Sequence, residues 1–97
     1  MSADERRFWR TDTCSVWVGY DDDGALVFTG EDSGHLDGYE YEVTVGADQF
    51  DELRRALGAD PAADVVDLVC RHAEEIMARG ERTWLHDRGI ERGFRSY

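Results

Sequence analysis

The sequence predicts an α+β fold in which an antiparallel sheet of three to four strands is covered by helices on one face. Three observations support this class. Alternating apolar residues between 14 and 45 are typical of strands, apolar residues between 48 and 88 recur with a helical period, and turn residues such as Asp-Gly and Asp-Pro separate the segments. The expected order is β-β-β-α-α-α-β, in a single domain that spans residues 1–97.

The first two predicted strands form a hairpin. Residues 14–20 alternate and are rich in Val, Trp and Tyr, Asp23-Gly24 is a turn signal, and residues 25–30 return. A turn of two or four residues would divide the side chains between two faces: Val16, Val18, Tyr20, Ala25 and Val27 on one, and Trp17, Leu26 and Phe28 on the other. Both faces would then be apolar.

Helices can cover only one of these faces, so the second needs another cover. We expect that cover to be the N-terminal segment with Phe8 and Trp9, a second copy of the chain, or a partner.

A third strand is predicted over residues 39–45, in which Tyr39, Tyr41, Val43 and Val45 face one way and Glu40, Glu42 and Thr44 the other.

Three helices and a last strand are expected in the second half of the chain. Asp48 would cap a short helix that ends at Gly58, and Asp60-Pro61 would begin a long helix that runs to about Arg79, with Gly80 as its end. A third helix is predicted over residues 82–88, closed by Gly89 with Leu85 touching Ile90. The alternating residues 90–95 predict a final strand.

Acidic residues are concentrated in one part of the chain. The protein has 22 Asp and Glu against 11 Arg and no Lys, a formal net charge of −11. Residues 11–53 contain twelve of the acids and none of the Arg, while residues 54–97 contain eight of each. A surface of one charge attracts a cationic neighbour and repels nucleic acid, so we expect a basic protein partner and no nucleic-acid ligand.

Composition also indicates where the protein acts. The longest apolar runs are much shorter than the ~20 residues that span a bilayer, and no apolar segment of a signal peptide follows Met-Ser-Ala-Asp-Glu-Arg-Arg. Cys14 and Cys70 are expected in a strand and a helix as small buried residues, because two cysteines do not make a disulfide framework. We therefore expect a cytoplasmic protein that does not engage a membrane.

The sequence carries no motif for catalysis or cofactor binding: it has no Gly-x-Ser-x-Gly elbow and no Gly-rich phosphate loop. A metal site built from His35, His72 and His86 is conceivable, but their spacing matches no compact ligand motif. The run Asp21-Asp22-Asp23-Gly24 lacks the alternate acids and the final Glu of a calcium loop. We expect no enzymatic activity, no cofactor and no metal.

The residues that would contact a basic partner follow from the predicted strands. Asp21, Asp22 and Asp23 crown the tip of the first hairpin, and Glu40 and Glu42 point outward together from the third strand. These five residues are the candidate partner-binding set. Whether they form one patch depends on the fold.

The segment Trp84-Leu85-x-x-x-Gly89-Ile90, with the size, acidity and order of elements, resembles small acidic bacterial immunity proteins that neutralise toxins. The resemblance implies a non-enzymatic inhibitor that docks a basic toxin, and it transfers no functional residues. Two alternatives stay open. One is a homodimeric structural or accessory protein that pairs through the second apolar sheet face, and the other is a small ligand-binding domain with a pocket lined by Tyr39, Tyr41 and His72.

Overall fold

The computed structural model describes residues 5–32 and 39–96, which form a five-stranded antiparallel sheet with four α-helices. The strands are β1 (Arg6–Arg10), β2 (Cys14–Tyr20), β3 (Leu26–Asp32), β4 (Tyr39–Val45) and β5 (Gly93–Ser96). They lie in the sheet in the order in which they occur in the chain, so β1 and β5 are its two edges. The α+β class is confirmed, and the sheet has more strands than predicted because the N-terminal segment adds β1.

The helices are α1 (Phe50–Ala56), α2 (Val65–Arg71), α3 (Ala73–Arg79) and α4 (Glu81–Asp87). A 3₁₀ turn (Ala47–Gln49) precedes α1, and the predicted cap at Asp48 is wrong because no side chain caps this turn or α1. The last predicted helix and its ending are confirmed. Gly89 has a φ of 71° and the Ile90 N–H donates to the Leu85 carbonyl over 3.0 Å.

The long predicted helix begins later than expected and is divided in two. The Asp64 carboxylate accepts a hydrogen bond of 2.9 Å from the Asp67 N–H and so caps α2, whereas Asp60 forms a separate turn by accepting from the Ala62 N–H. The division falls at His72, whose φ of −111° and ψ of 23° are not helical. The predicted end at Gly80 is confirmed, since its φ of 87° requires glycine.

The β2–β3 connection overturns the predicted hairpin register. Tyr20 pairs with Leu26, which leaves the five residues Asp21–Ala25 in the loop instead of two or four. The Asp21 carboxylate accepts hydrogen bonds of 2.9 Å from the backbone N–H groups of Asp23 and Ala25 and holds this loop. A shift of one residue turns every side chain of a strand to the other face, so Leu26 and Phe28 join Val16 and Val18.

A single face of the sheet is therefore apolar, and the helices pack on it. The buried residues of this core come from β1 to β4, from the four helices and from the segment between α4 and β5: Phe8, Val16, Val18, Leu26, Phe28, Val43, Val45, Leu53, Val65, Val66, Val69, Ile76, Trp84, Leu85 and Ile90. The expectation that Phe8 covers a second apolar face is wrong. Phe8 sits at a bulge of β1 and packs edge-on against Phe28, with ring centroids 5.2 Å apart.

One close approach ties β3 to β4. Gly30 pairs with Tyr41, and a Cβ at Gly30 would clash with Cζ of the Tyr41 ring. The ring therefore lies across a strand position that only glycine can leave open. On its other side the Tyr41 ring stacks on Phe94 of β5, with centroids 6.3 Å apart and planes at 27°.

This contact gives a first testable prediction. Gly30→Ala should lower the free energy of unfolding by about 1–3 kcal/mol, because the new methyl group displaces the Tyr41 ring from a packed site. Urea denaturation followed by circular dichroism measures the change. Gly93→Ala is the matched control, since its Cβ would come no closer than 3.9 Å to the Thr44 Cβ. Equal effects of the two substitutions would contradict the prediction.

Candidate partner-binding face

The sheet face turned away from the helices is named the open face. Strand register places its side chains, and none of them is buried: Arg7, Arg10, Ser15, Trp17, Val27, Thr29, Glu31, Glu40, Glu42, Thr44 and Arg95. Trp17 and Val27 are its half-buried apolar residues. This face is mainly polar, so the premise of a second apolar face is wrong.

Three of the five candidate residues lie around one shallow depression. Asp21 and Asp22 of the hairpin loop and Glu42 of β4 line it, together with Glu5, and its volume is about 280 Å³. Its floor includes Val27 and Thr29 of β3, beside Gly19 and Tyr20. Asp23 is exposed in the same loop but does not line the depression. The fold thus brings the hairpin acids towards one of the two strand acids.

Glu40 lies towards the opposite end of β4, where it is directly opposite Glu31 of β3. Both side chains are exposed. Like charges at directly opposed strand positions destabilise a sheet, so this pair works against the fold. The sequence predicted that the second strand ends at residue 30, whereas β3 continues to Asp32 and carries Glu31 onto the open face.

Arginine side chains flank these acids. Arg7 and Arg10 point from β1, and Arg95 of β5 is paired in register with Glu42. β1 and β5 both come from outside the acidic stretch 11–53. The open face therefore has an acidic middle on β3 and β4 between two edges that carry Arg, a pattern that the chain order alone does not reveal.

A second polar cluster is buried under the helices. Glu81, the first residue of α4, is only 4% exposed. Burial and hydrogen bonding to the Glu81 carboxylate together raise the pKa of Tyr41 well above its ordinary value. Sequence reasoning missed Glu81, because an acid at the start of a helix is expected to be exposed and to favour the helix dipole.

Cys14 and Cys70 lie in a strand and a helix, as expected, but both are half-buried and not buried; both are free thiols. Burial, with the nearby negative charges of Asp32 and Glu81, raises the pKa of the Cys14 thiol. Burial also raises the pKa of Cys70. A thiol of raised pKa is a poor nucleophile at neutral pH, so neither cysteine has the environment of a reactive thiolate.

Histidines were the other candidates for chemistry. His72 lies between α2 and α3, with Nδ1 3.9 Å from Oε1 of Glu75, and His86 Nδ1 is 3.1 Å from a guanidinium nitrogen of Arg92. His35 lies outside the described residues, as does the side chain of Tyr39 from the alternative ligand pocket. Within residues 5–32 and 39–96, no group of three or more His, Cys, Asp or Glu could hold a metal ion.

Comparison of the chain with protein-family models, with curated proteins and with solved structures found no match. The resemblance to immunity proteins therefore stays a prediction. Its segment has a structural explanation, because Trp84, Leu85 and Ile90 are core residues and Gly89 ends α4. None of the helices in the described part of the chain is long and apolar enough to cross a membrane.

The opposed acids of β3 and β4 give a second prediction. Glu40→Gln should raise the free energy of unfolding by about 0.2–1 kcal/mol, because it removes a like-charge pair across two strands. Thermal unfolding at low salt measures the gain, which should shrink at high salt as the charges are screened. Adding Glu31→Gln should then give little further gain, since the repulsion is already gone.

The control for this prediction is Glu91→Gln. Glu91 is an exposed carboxylate outside the sheet, and its substitution changes the net charge by the same amount. If Glu91→Gln stabilised the protein as much as Glu40→Gln, the effect would come from net charge and not from the cross-strand pair.

The half-buried Tyr41 gives a third prediction. Tyr41→Phe should cost about 1–3 kcal/mol at pH 7, because it leaves the Glu81 carboxylate without its donor. Folding raises the pKa of Tyr41. The contribution of Tyr41 to the free energy of unfolding is therefore complete below its unfolded pKa of 10.0 and is lost as the pH rises above that value. The stability difference between wild type and Tyr41→Phe should therefore narrow above about pH 10.

Urea denaturation between pH 7 and 11 tests this dependence. Ile76→Val, in the same core, changes no titratable group and should cost about 0.5–1.5 kcal/mol at every pH. If Tyr41→Phe lowered the free energy of unfolding by the same amount at every pH in this range, the proposed link between stability and the Tyr41 pKa would be excluded.

Proposed function

We propose that this protein is a non-enzymatic acidic binding protein that neutralises a basic protein partner, as an immunity protein does with a toxin. The open face of the sheet is the proposed docking surface. Asp21, Asp22 and Glu42 are its contacts at one end, Glu40 is its contact at the other, and Asp23 extends it at the hairpin tip. The proposed setting is the cytoplasm, which the free thiols of Cys14 and Cys70 support.

One observation carries this proposal. The acids of β3 and β4 stand together on a sheet face that no described helix covers, and Glu31 and Glu40 are opposed there at a cost to stability. A cationic side chain from a partner would remove that cost on binding. Trp17 and Val27 lie half-buried on the same face and offer apolar contact area at its centre.

The flanking arginines restrict which partner fits. A basic patch over β3 and β4 would be attracted, while positive charge over β1 would meet Arg7 and Arg10. Charge patterns of this kind increase association rates and disfavour wrong partners more than they add affinity. The proposed partner therefore has a compact basic patch with neutral or acidic surroundings, which suits a basic cleft better than a uniformly basic surface.

Affinity capture with matched charge variants tests the proposal. The open-face variant is Asp21→Asn/Asp22→Asn/Glu42→Gln, and the control is Glu74→Gln/Glu75→Gln/Glu91→Gln, which removes three exposed acids from the helical side. Asn at 21 keeps an oxygen that can accept the two loop hydrogen bonds. The wild type and the control variant should retain one basic protein that the open-face variant loses. The rate at which this basic protein associates should be about tenfold or more lower with the open-face variant than with the wild type.

Two outcomes would overturn the proposal. Equal retention by the open-face and control variants would show that net charge, and not this surface, governs binding. Concentration-dependent dimerisation in sedimentation velocity, abolished by Trp17→Ser, would instead assign the open face to a second copy of the chain. The dimer is the second candidate because Trp17 and Val27 are the apolar residues of this face.

A further inference from the structure

Two polar atoms of α4 are buried without a hydrogen-bond partner among the described residues. They are Oε2 of Glu81 and Nε1 of Trp84, and their residues are 4% and 1% exposed. Buried polar atoms are almost always paired, and an unpaired carboxylate oxygen is among the costliest exceptions. These two atoms therefore need a partner that protein groups of the described chain do not supply.

The two residues are three positions apart on one helix, so their side chains leave the same face with Cβ atoms about 5–6 Å apart. One orphan atom is an acceptor and the other is a donor. Tyr41 of β4 also interacts with this carboxylate, as the raised pKa of its hydroxyl indicates. The missing partner must therefore donate a hydrogen bond to Glu81 and accept one from Trp84.

We propose that a single internal water molecule bridges Glu81 Oε2 and Trp84 Nε1. The indole N–H disfavours a cation at this position, and the carboxylate disfavours an anion, so a neutral molecule that both donates and accepts is required. Both atoms are closed to solvent, so the partner we propose is an internal one. Internal waters occur where buried polar groups lack protein partners, and each typically makes about three hydrogen bonds.

This water completes a polar junction between α4 and the sheet. It joins Trp84 to Glu81, which is bonded to Tyr41, and the Tyr41 ring lies against Gly30 and Phe94. A satisfied buried network favours one arrangement of the packed elements, whereas a partly satisfied one does not. The water therefore belongs to the structure and not to the surface hydration.

Nuclear magnetic resonance of the full ¹⁵N-labelled chain tests the site. The Trp84 indole proton should show a cross-relaxation peak to water with the sign of a long-lived internal molecule. Trp17, half-buried on the open face, is the internal reference and should show no such peak. A Trp84 indole proton without this peak, or with the same water signal as Trp17, would overturn the proposal.

Two substitutions identify the other ligand of the water. Glu81→Gln keeps a carbonyl acceptor and should retain the peak, whereas Glu81→Leu removes the acceptor and should abolish it. A peak that survives in Glu81→Leu overturns the bridge. If Glu81→Leu does not fold, a crystal structure of the wild type decides: a water within about 3 Å of both atoms supports the bridge, and a direct Trp84–Glu81 hydrogen bond refutes it.

Discussion

The five-residue connection Asp21–Ala25 sets the polarity of both faces of the sheet. The Asp21 carboxylate accepts two backbone hydrogen bonds, and the Asp21 N–H donates to the Ala25 carbonyl over 2.9 Å, which closes the loop at an odd length. Because strand side chains alternate, this length puts Leu26 and Phe28 on the same face as the valines of β2. The helices gain one continuous apolar surface, and the opposite face is left to polar residues. A loop one residue shorter would divide the apolar residues between two faces.

The open face shows the result of this division. It combines an acidic middle, arginines at both edges and two half-buried apolar residues, Trp17 and Val27. The opposed pair Glu31 and Glu40 does nothing for the packing of the sheet, so its presence favours a role outside the fold. Sites that bind partners often keep arrangements that the isolated protein would be more stable without. The proposed docking of a basic partner gives this arrangement a physical purpose.

The buried junction at Glu81 is the other place where stability depends on polar groups. Gly30, Tyr41 and Glu81 bring β3, β4 and α4 to one point, and Phe94 adds the edge strand β5. The guanidinium of Arg82 lies over the Phe94 ring, 4.1 Å from its centroid. The last strand is thus held by two contacts of one aromatic ring, with Tyr41 and with Arg82. Core packing of Trp84 and Leu85 and the contact of Arg82 with Phe94 together hold α4 against the sheet.

The sequence by itself determined the α+β class, which side chains of a strand share a face, and the helix ends at Gly80 and Gly89. These features follow from local periodicity and from local backbone requirements. It also located Asp21, Asp22, Asp23 and Glu40 as exposed acids, whereas Glu42 is half-buried. Only the tertiary structure decided the strand register, the division at His72 and the neighbours of each acid. Register depends on the hydrogen bonds of one loop, and the burial of Glu81 depends on a tyrosine forty residues away in the chain. Interactions between distant residues leave no periodic signal in a single sequence.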